Sequence, residues 1–453
     1  MRIRVLPTVT AIAVAAGATA AAAIAQNGDG GRGRGAIPGD FNGDGHRDIA
    51  GLGGDSVIIV FGGPAGADPA RRQVLASSHL SDKPLKSADF DSDGYADLLT
   101  RESRGNSKRI TATIIYGGPR GLTTRTAALP EATGGLAIGD FDGNGVPDVA
   151  STGDAPKTDP RVFDLDTVVV YANPGARPGK AKVSSVARRG SYDVERTLLT
   201  GDFNGDHRTD LMIGASSKID GVMESSWFEL HPGTPHGLGP AMILPEEQTG
   251  DAVASDAVAG DFDGDGRTDL LADVGLNYPP EDRAELMMLR ATAEGFVKAR
   301  RFDDAALGLR GRSVGTMLAG DVNADGRDDL IVGTWNPLDR WSQVDPGAVS
   351  VLLGSSAGPT TKGGRTFRQG AEGVPGAASP SDRFGDALAL TDTNGDGRSE
   401  LVVGAPGEDD DTGGLYIFPG TAAGTLTTKG VKHFGSAAVG LDGKAQLGEY
   451  LLD

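Results

Sequence analysis

Asp261-Phe262-Asp263-Gly264-Asp265-Gly266-Arg267-Thr268-Asp269, continuing at once into Leu270-Leu271, is the stretch whose reading decides the fold. Carboxylates at its first, third and fifth positions converge on one point if the backbone curls, and glycine at the sixth permits that curl. The carbonyl of the seventh residue then faces inward, and the ninth supplies a further carboxylate. A hard cation that takes about six to eight oxygens, calcium, is the expected occupant.

The pattern recurs from Asp40, Asp89, Asp140, Asp202, Asp321 and Asp392, making seven copies whose starts lie 49 to 71 residues apart. The expected side-chain ligands are Asp40, Asn42, Asp44 and Asp48 in the first copy and Asp89, Asp91, Asp93 and Asp97 in the second. They are Asp140, Asp142, Asn144 and Asp148 in the third and Asp202, Asn204, Asp206 and Asp210 in the fourth. Asp261, Asp263, Asp265 and Asp269 serve the fifth, Asp321, Asn323, Asp325 and Asp329 the sixth, and Asp392, Asn394, Asp396 and Glu400 the seventh. The backbone carbonyls of His46, Tyr95, Val146, Arg208, Arg267, Arg327 and Arg398 complete the sets, giving room for up to seven calcium ions. Asparagine at the third position keeps an oxygen donor while lowering the local charge. The third and fourth loops, with Asn144 and Pro147 in one and His207 in place of glycine in the other, are expected to bind most weakly.

The residues behind the loop separate it from other calcium motifs. An EF-hand needs a bidentate glutamate at position 12 and helices on both sides. Position 12 here is Gly51, Thr100, Ser151, Ile213, Ala272, Val332 or Val403, each inside or beside a short apolar run. Such runs read as buried strands, so each loop is a β-hairpin turn. Further along, each repeat has a second apolar segment: Val57 to Phe61, Ile114 to Tyr116, Val168 to Tyr171, Trp227 to Leu230, Leu286 to Leu289, Val349 to Leu353 and Leu415 to Phe418. With a poorly marked fourth strand, each repeat becomes one four-stranded antiparallel blade of an all-β, seven-bladed β-propeller. A linear solenoid is the rival architecture, although its repeats are usually shorter.

The last repeat runs from Phe384-Gly385 through Asp392-Thr393-Asn394-Gly395-Asp396-Gly397 to Leu401-Val402-Val403-Gly404-Ala405-Pro406. It resembles the FG-GAP repeat of the integrin α-chain N-terminal propeller, and the chain overall is similar to secreted bacterial FG-GAP or VCBS repeat proteins across residues 36–453. The resemblance implies calcium loops joining the first and second strands of each blade on one face. The fourth and sixth repeats keep only fragments of the motif, Gly214-Ala215 and Gly333. Integrin adhesion does not follow from the resemblance, because it depends on a partner β-chain. The final segment, Gln446-Leu447-Gly448-Glu449-Tyr450-Leu451-Leu452-Asp453, looks like one more first strand. It is expected to pair beside the short first strand read at Gly35 to Gly39 and close the ring.

Residues 1–25 read as a secretory signal peptide: Arg2 and Arg4 precede an Ala/Val/Ile run that ends in Ala23-Ile24-Ala25. Residues 26–35 are a Gly/Arg-rich flexible segment, and residues 36–453 form the propeller. Export to the extracellular space is the expectation, with no membrane segment in the mature chain. There is no cysteine to brace the fold, so bound metal is the expected brace. A formal charge of -19, concentrated in the repeats, and the lack of a basic stripe exclude nucleic acid as a natural partner.

Catalytic signals are weak. Gly354-Ser355-Ser356-Ala357-Gly358 matches a nucleophile elbow in letters, but Pro359 comes next where a helix is required. His46 and His207 lie inside calcium loops, His231 and His236 flank a turn without a third zinc ligand, and His79 and His433 lack evident partners. The carboxylates committed to calcium make poor proton shuttles. Two readings remain open: a non-catalytic binding, adhesion or scaffolding module for an extracellular protein or glycan, and a calcium-dependent polysaccharide lyase or hydrolase. On the face away from the calcium loops, Thr334 to Val344 carries Trp335, Arg340 and Trp341, and Glu408-Asp409-Asp410-Asp411 is acidic. The tryptophans are expected either to meet a ligand or to pack between blades.

Overall fold

A computed structural model describes residues 36–76, 85–103, 110–130, 132, 134–153, 167–175, 182–187, 194–219, 222–245, 249, 257–274, 285–309, 313–335, 346–379 and 381–452. Seven four-stranded antiparallel sheets account for nearly all of its regular structure. In blade five, for example, the strands Ala257–Gly260, Asp269–Asp273, Glu285–Thr292 and Gly295–Asp303 pair in chain order. At six of the seven junctions the first strands of neighbouring blades lie against one another, so the sheets are arranged radially. The chain is a seven-bladed propeller rather than a solenoid.

Strand periodicity explains how the blades hold together. Successive side chains point to opposite faces of a sheet, and in a propeller each face meets a different neighbour. Leu270 therefore packs with Met212 and Phe228 of blade four, while Leu271 packs with Leu330 and Val332 of blade six. Seven apolar clusters result, one at each junction between adjacent blades. The two-residue run after every loop reads as continuously apolar because both of its faces are buried.

The second position of the metal-type loop is part of these cores. Phe41, Phe90, Phe141, Phe203, Phe262 and Val322 are all buried there. In blade seven the position is Thr393, also buried, whose hydroxyl donates to Glu400 Oε2 at 2.7 Å and accepts from Ala67 N–H at 3.2 Å. Each loop is thus pinned into the junction by its own buried anchor.

Ring closure uses the C-terminal segment, in a way that corrects one detail of the expectation. Residues 36–39 form no strand. Instead Tyr450–Leu451 supplies the first strand of blade one, pairing with Ile49–Gly53 through Gly51↔Leu451 and Leu52↔Tyr450. Leu452 N–H extends the pairing to the Ala50 carbonyl at 2.9 Å. The signal-peptide reading of residues 1–25 and the flexible segment 26–35 lie outside the described residues. Among the described residues no helix is long and apolar enough to cross a membrane.

Candidate metal centre

In blades two to seven each loop is the turn of the hairpin between the first two strands, whereas in blade one the loop leads into the second strand, Ile49–Gly53, with Asp48 N–H donating to the Gly39 carbonyl at 2.8 Å. Residue pairs such as Ala88↔Asp97, Gly201↔Asp210, Gly260↔Asp269 and Thr391↔Glu400 place the ninth position as the first paired residue after the turn. All seven position-12 residues lie in the second strands of their blades, which excludes an EF-hand.

The internal geometry is uniform. At every loop the sixth residue's N–H donates to the first-position carboxylate, at 2.7–3.0 Å. The seventh residue's N–H donates to the side-chain oxygen of the fifth, at 2.8–3.1 Å. The third and fourth loops share this turn despite Pro147 and His207. His207 adopts φ 64, the left-handed conformation that glycine supplies at this place in the other loops.

The ninth-position acid bridges the turn to the rest of the blade. One oxygen accepts from the second residue's N–H, as Asp48 does from Phe41 at 2.9 Å and Asp210 from Phe203 at 3.0 Å. The other accepts from the end of the third strand, as Asp48 does from Gly62 at 2.9 Å and Asp329 from Gly354 at 2.7 Å. Loop five differs. Asp269 accepts from Ala291 N–H at 2.9 Å, but its Oδ2 is fully buried with no hydrogen-bond partner. That orphaned oxygen lies near Asp261, Asp263 and Asp265, whose charges act on it.

Four loops bring three acids together, with one oxygen from each within 4.8 Å of the others. These are Asp89, Asp91 and Asp97; Asp140, Asp142 and Asp148; Asp261, Asp263 and Asp265; and Asp392, Asp396 and Glu400. Asparagine at position three removes one acid from the first, fourth, sixth and seventh loops, and of these loop seven still brings three together, through the longer Glu400. Position-seven arginines reach towards the fifth-position acids: Arg398 lies 2.9 Å from Asp396 and Arg267 3.7 Å from Asp265.

Burial makes these acids costly to ionise. Desolvation, reinforced by neighbouring carboxylates and opposed by backbone hydrogen bonds, pushes Asp269 up to about 8 and Asp48, Asp97 and Asp329 up to about 7. Asp148 and Asp210 rise to about 6 for the same reason, and Glu400 is also raised. Oxygen-only donors, mutual repulsion and an unpartnered buried carboxylate oxygen all fit a hard divalent cation.

The remaining polar groups sort differently from their sequence pattern. Ser355 Oγ accepts from Ala357 N–H and donates to the Gly358 carbonyl at 2.6 Å, closing a tight turn before the strand Thr360–Phe367. A strand stands where a nucleophile elbow needs a helix, so the Gly-x-Ser-x-Gly string is a turn. His231 is fully buried with Nδ1 against the Gly239 carbonyl at 3.2 Å, whereas His236 sits in the exposed turn. His79 and the loop 336–345, with Arg340 and Trp341, lie outside the described residues, as does the side chain of Trp335.

His433 has the partner that its sequence context does not reveal. Its Nε2 lies 3.1 Å from Glu408 Oε2, and its ring stacks on Tyr416 at 4.4 Å. Glu408 Oε1 accepts from Tyr416 Oη at 2.7 Å and from Gln369 Nε2 at 3.1 Å. Burial works to raise the Glu408 carboxyl, but hydrogen bonds from His433 and Tyr416 outweigh it and hold it below its usual range. This buried network anchors the turn Glu408–Asp411, where Asp409, Asp410 and Asp411 all take positive φ.

An FG-GAP repeat occupies residues 384–418, where the sequence model of that repeat matches. The chain is a seven-bladed propeller that carries this repeat in its last blade, and it is similar over part of its length to integrin α chains. Integrin alpha-PS2 of Drosophila melanogaster is 33% identical over 179 residues, which is 37% of this chain and 12% of that one. Phosphatidylinositol-glycan-specific phospholipase D of Rattus norvegicus is 34% identical over 117 residues, 25% of this chain and 14% of the relative. The matches therefore span about an eighth of those relatives' length. Among solved structures, the Bacillus licheniformis rhamnogalacturonan lyase PL11 aligns over 88% of this chain and 74% of its own, at 12% identity and a TM-score of 0.37.

Proposed function

We propose that this chain is an exported, calcium-binding propeller that acts as a non-catalytic binding, adhesion or scaffolding module. The observation that carries the calcium reading is Asp269 Oδ2, fully buried and unpartnered beside three further carboxylates. Calcium held there would neutralise repelling acids that otherwise oppose the hairpin turn, and so brace a ring that has no cysteine. The side chains of positions one, three, five and nine and the carbonyl of position seven would hold it.

The binding reading is supported by how the acids are used. Loop carboxylates engaged by backbone N–H groups are turn-formers, poorly placed to move protons to or from a substrate. The other polar cluster, Glu408 with Tyr416, His433 and Gln369, is closed on itself and mostly buried. The similarity to integrin α chains favours a protein or glycan partner outside the cell, without implying the integrin partner chain. A chelator-sensitive melting temperature and capture on a protein or glycan array test the two halves. An unchanged melt in excess chelator overturns the bracing role, since a ligand held only by the native state must stabilise it. Turnover of a polysaccharide would replace the binding module with the lyase or hydrolase reading.

A further inference from the structure

Neighbouring loops touch at five of the seven junctions, and the contacts obey a rule. The eighth residue's N–H donates to the first-position carbonyl of the preceding loop at five junctions: Ala96 to Asp40 at 3.0 Å, Thr209 to Asp140 at 3.4 Å, Thr268 to Asp202 at 2.9 Å, Asp328 to Asp261 at 2.9 Å and Arg47 to Asp392 at 3.3 Å. At the same five junctions the seventh side chain covers the preceding loop's fourth-position glycine. A methyl group on Gly43 would lie 2.6 Å from Tyr95, on Gly264 3.0 Å from Arg327, and on Gly395 2.8 Å from His46. Arg208 over Gly143 and Arg267 over Gly205 complete the set, at 3.3 and 3.0 Å.

The two remaining junctions are broken by their sequence. Pro147, the eighth residue of loop three, has no N–H to donate. Loops two and six carry Ser92 and Ala324 in place of the fourth-position glycine, at φ 58 and 57, so a side chain occupies the covered place. Among the described residues no eighth-position N–H bond joins loop three to loop two or loop seven to loop six.

The linking peptide has a second role. Its N–H belongs to residue eight, but its carbonyl is that of residue seven, the backbone oxygen that would face a bound cation. A peptide group is planar, so fixing the oxygen fixes the N–H. That N–H holds the backbone of the residue whose carboxylate opens the neighbouring site. Arg327 adds a side-chain link: its Nε donates to the Asp263 carbonyl at 3.3 Å while its Nη1 lies 3.9 Å from Asp325 in its own loop.

Resting on the calcium reading above, we propose that the loops take up calcium in two cooperative groups, loops three to six and loops seven, one and two. Within a group, ordering one loop lowers the cost of ordering the next. The breaks at Pro147 and at Ala324 isolate the groups. The second group contains the junction that closes the ring, so filling loop seven or loop one also fixes blade seven against blade one.

The test is amide hydrogen exchange at each loop of the full chain across a calcium chloride titration. Disabling loop five with Asp263→Ala and Asp265→Ala should raise the calcium midpoints of loops four and six by about fivefold or more. Loops seven, one and two should keep theirs. If that variant does not fold, Thr268→Pro leaves every expected ligand of loop five in place and removes the linking N–H together with the threonine side chain that packs on Gly201, at a position where loop three already carries Pro147. It should shift the midpoint of loop four by a similar factor and leave loop one unmoved. Neighbouring midpoints that stay in place, or an equal shift in all seven loops, overturn the grouping while leaving calcium binding intact. No calcium-dependent protection in the wild-type chain overturns both readings.

Discussion

Blade seven and blade one perform the same docking with differently connected chain. In blade seven, Arg383-Phe384-Gly385 leads into the first strand, with φ 56 at Arg383 and 101 at Gly385. In blade one, Gln446-Leu447-Gly448 arrives from about 400 residues away and takes nearly the same path, with φ 49 at Gln446 and 91 at Gly448. Both glycines press on a glycine of the previous blade: Gly333 lies under the Gly385 carbonyl and Gly404 under that of Gly448. The Phe-Gly element is therefore a device for seating one blade on the next. It needs a buried apolar side chain and a close backbone approach, and it does not need a particular apolar residue or chain order.

The largest way to break the comparison is to remove the discontinuous copy. Deleting Gln446 to Asp453 withdraws the buried Leu447 and Leu451 and the strand pairing of blade one. Urea denaturation should show a loss of about 3–6 kcal/mol from the two buried leucines alone, with the lost strand pairing added to it. Next in size are the single apolar anchors. Phe384→Ala should cost about 3–5 kcal/mol and Leu447→Ala about 2–5, since both are almost fully buried. If Leu447→Ala were nearly neutral while Phe384→Ala was severe, the two copies would not be equivalent.

A pH series separates the loops of these blades from their docking elements. Asp48 is pushed up to about 7 by burial, so the metal-free folded chain holds that proton more tightly than the unfolded chain does. Its contribution to stability is present below the ordinary carboxylate range and is lost as pH rises through about 7. In chelator, the melting temperature should fall from about pH 5 to about pH 8 as Asp48, Asp97, Asp329 and Asp269 ionise. Saturating calcium should reverse that slope, because a cation favours the ionised acids. Smallest is Thr393→Val, which removes the hydroxyl that donates to Glu400 and accepts from Ala67 across the junction. A loss of about 1–3 kcal/mol is expected. Thr393→Phe combined with Glu400→Asp, the pairing found at Phe41 and Asp48, should recover part of it.

Much of the architecture is legible in the sequence because each blade repeats its own label. An acidic turn fixed by glycine, an apolar pair behind it and a third strand ending in a turn are all local patterns. The fourth strands are obscured because they are outer edges. Gly295–Asp303 exposes five successive residues from Val297 to Arg301, so neither alternation nor a continuous apolar run survives there. The buried second position is visible as phenylalanine in five loops, yet its role depends on a neighbouring blade that no local window contains. Gly35 to Gly39 reads as a strand in sequence although Tyr450–Leu451 takes the place it would fill. The network at Glu408 escapes a sequence reading because Gln369 and His433 are 39 and 25 residues away from it, with no shared periodicity.

The strand Tyr450–Leu451 has a further consequence. Leu452 Cδ2 comes within 4.0 Å of where a side chain on Gly39 would begin, so the two ends of the described chain are neighbours in one blade. A ring closed in this way has a cyclic order of blades and no privileged first one. Joining residue 452 to residue 36 by a short linker and cutting the chain at another outer turn should yield a circular permutant with the same seven sheets, its point of closure moved to a different blade.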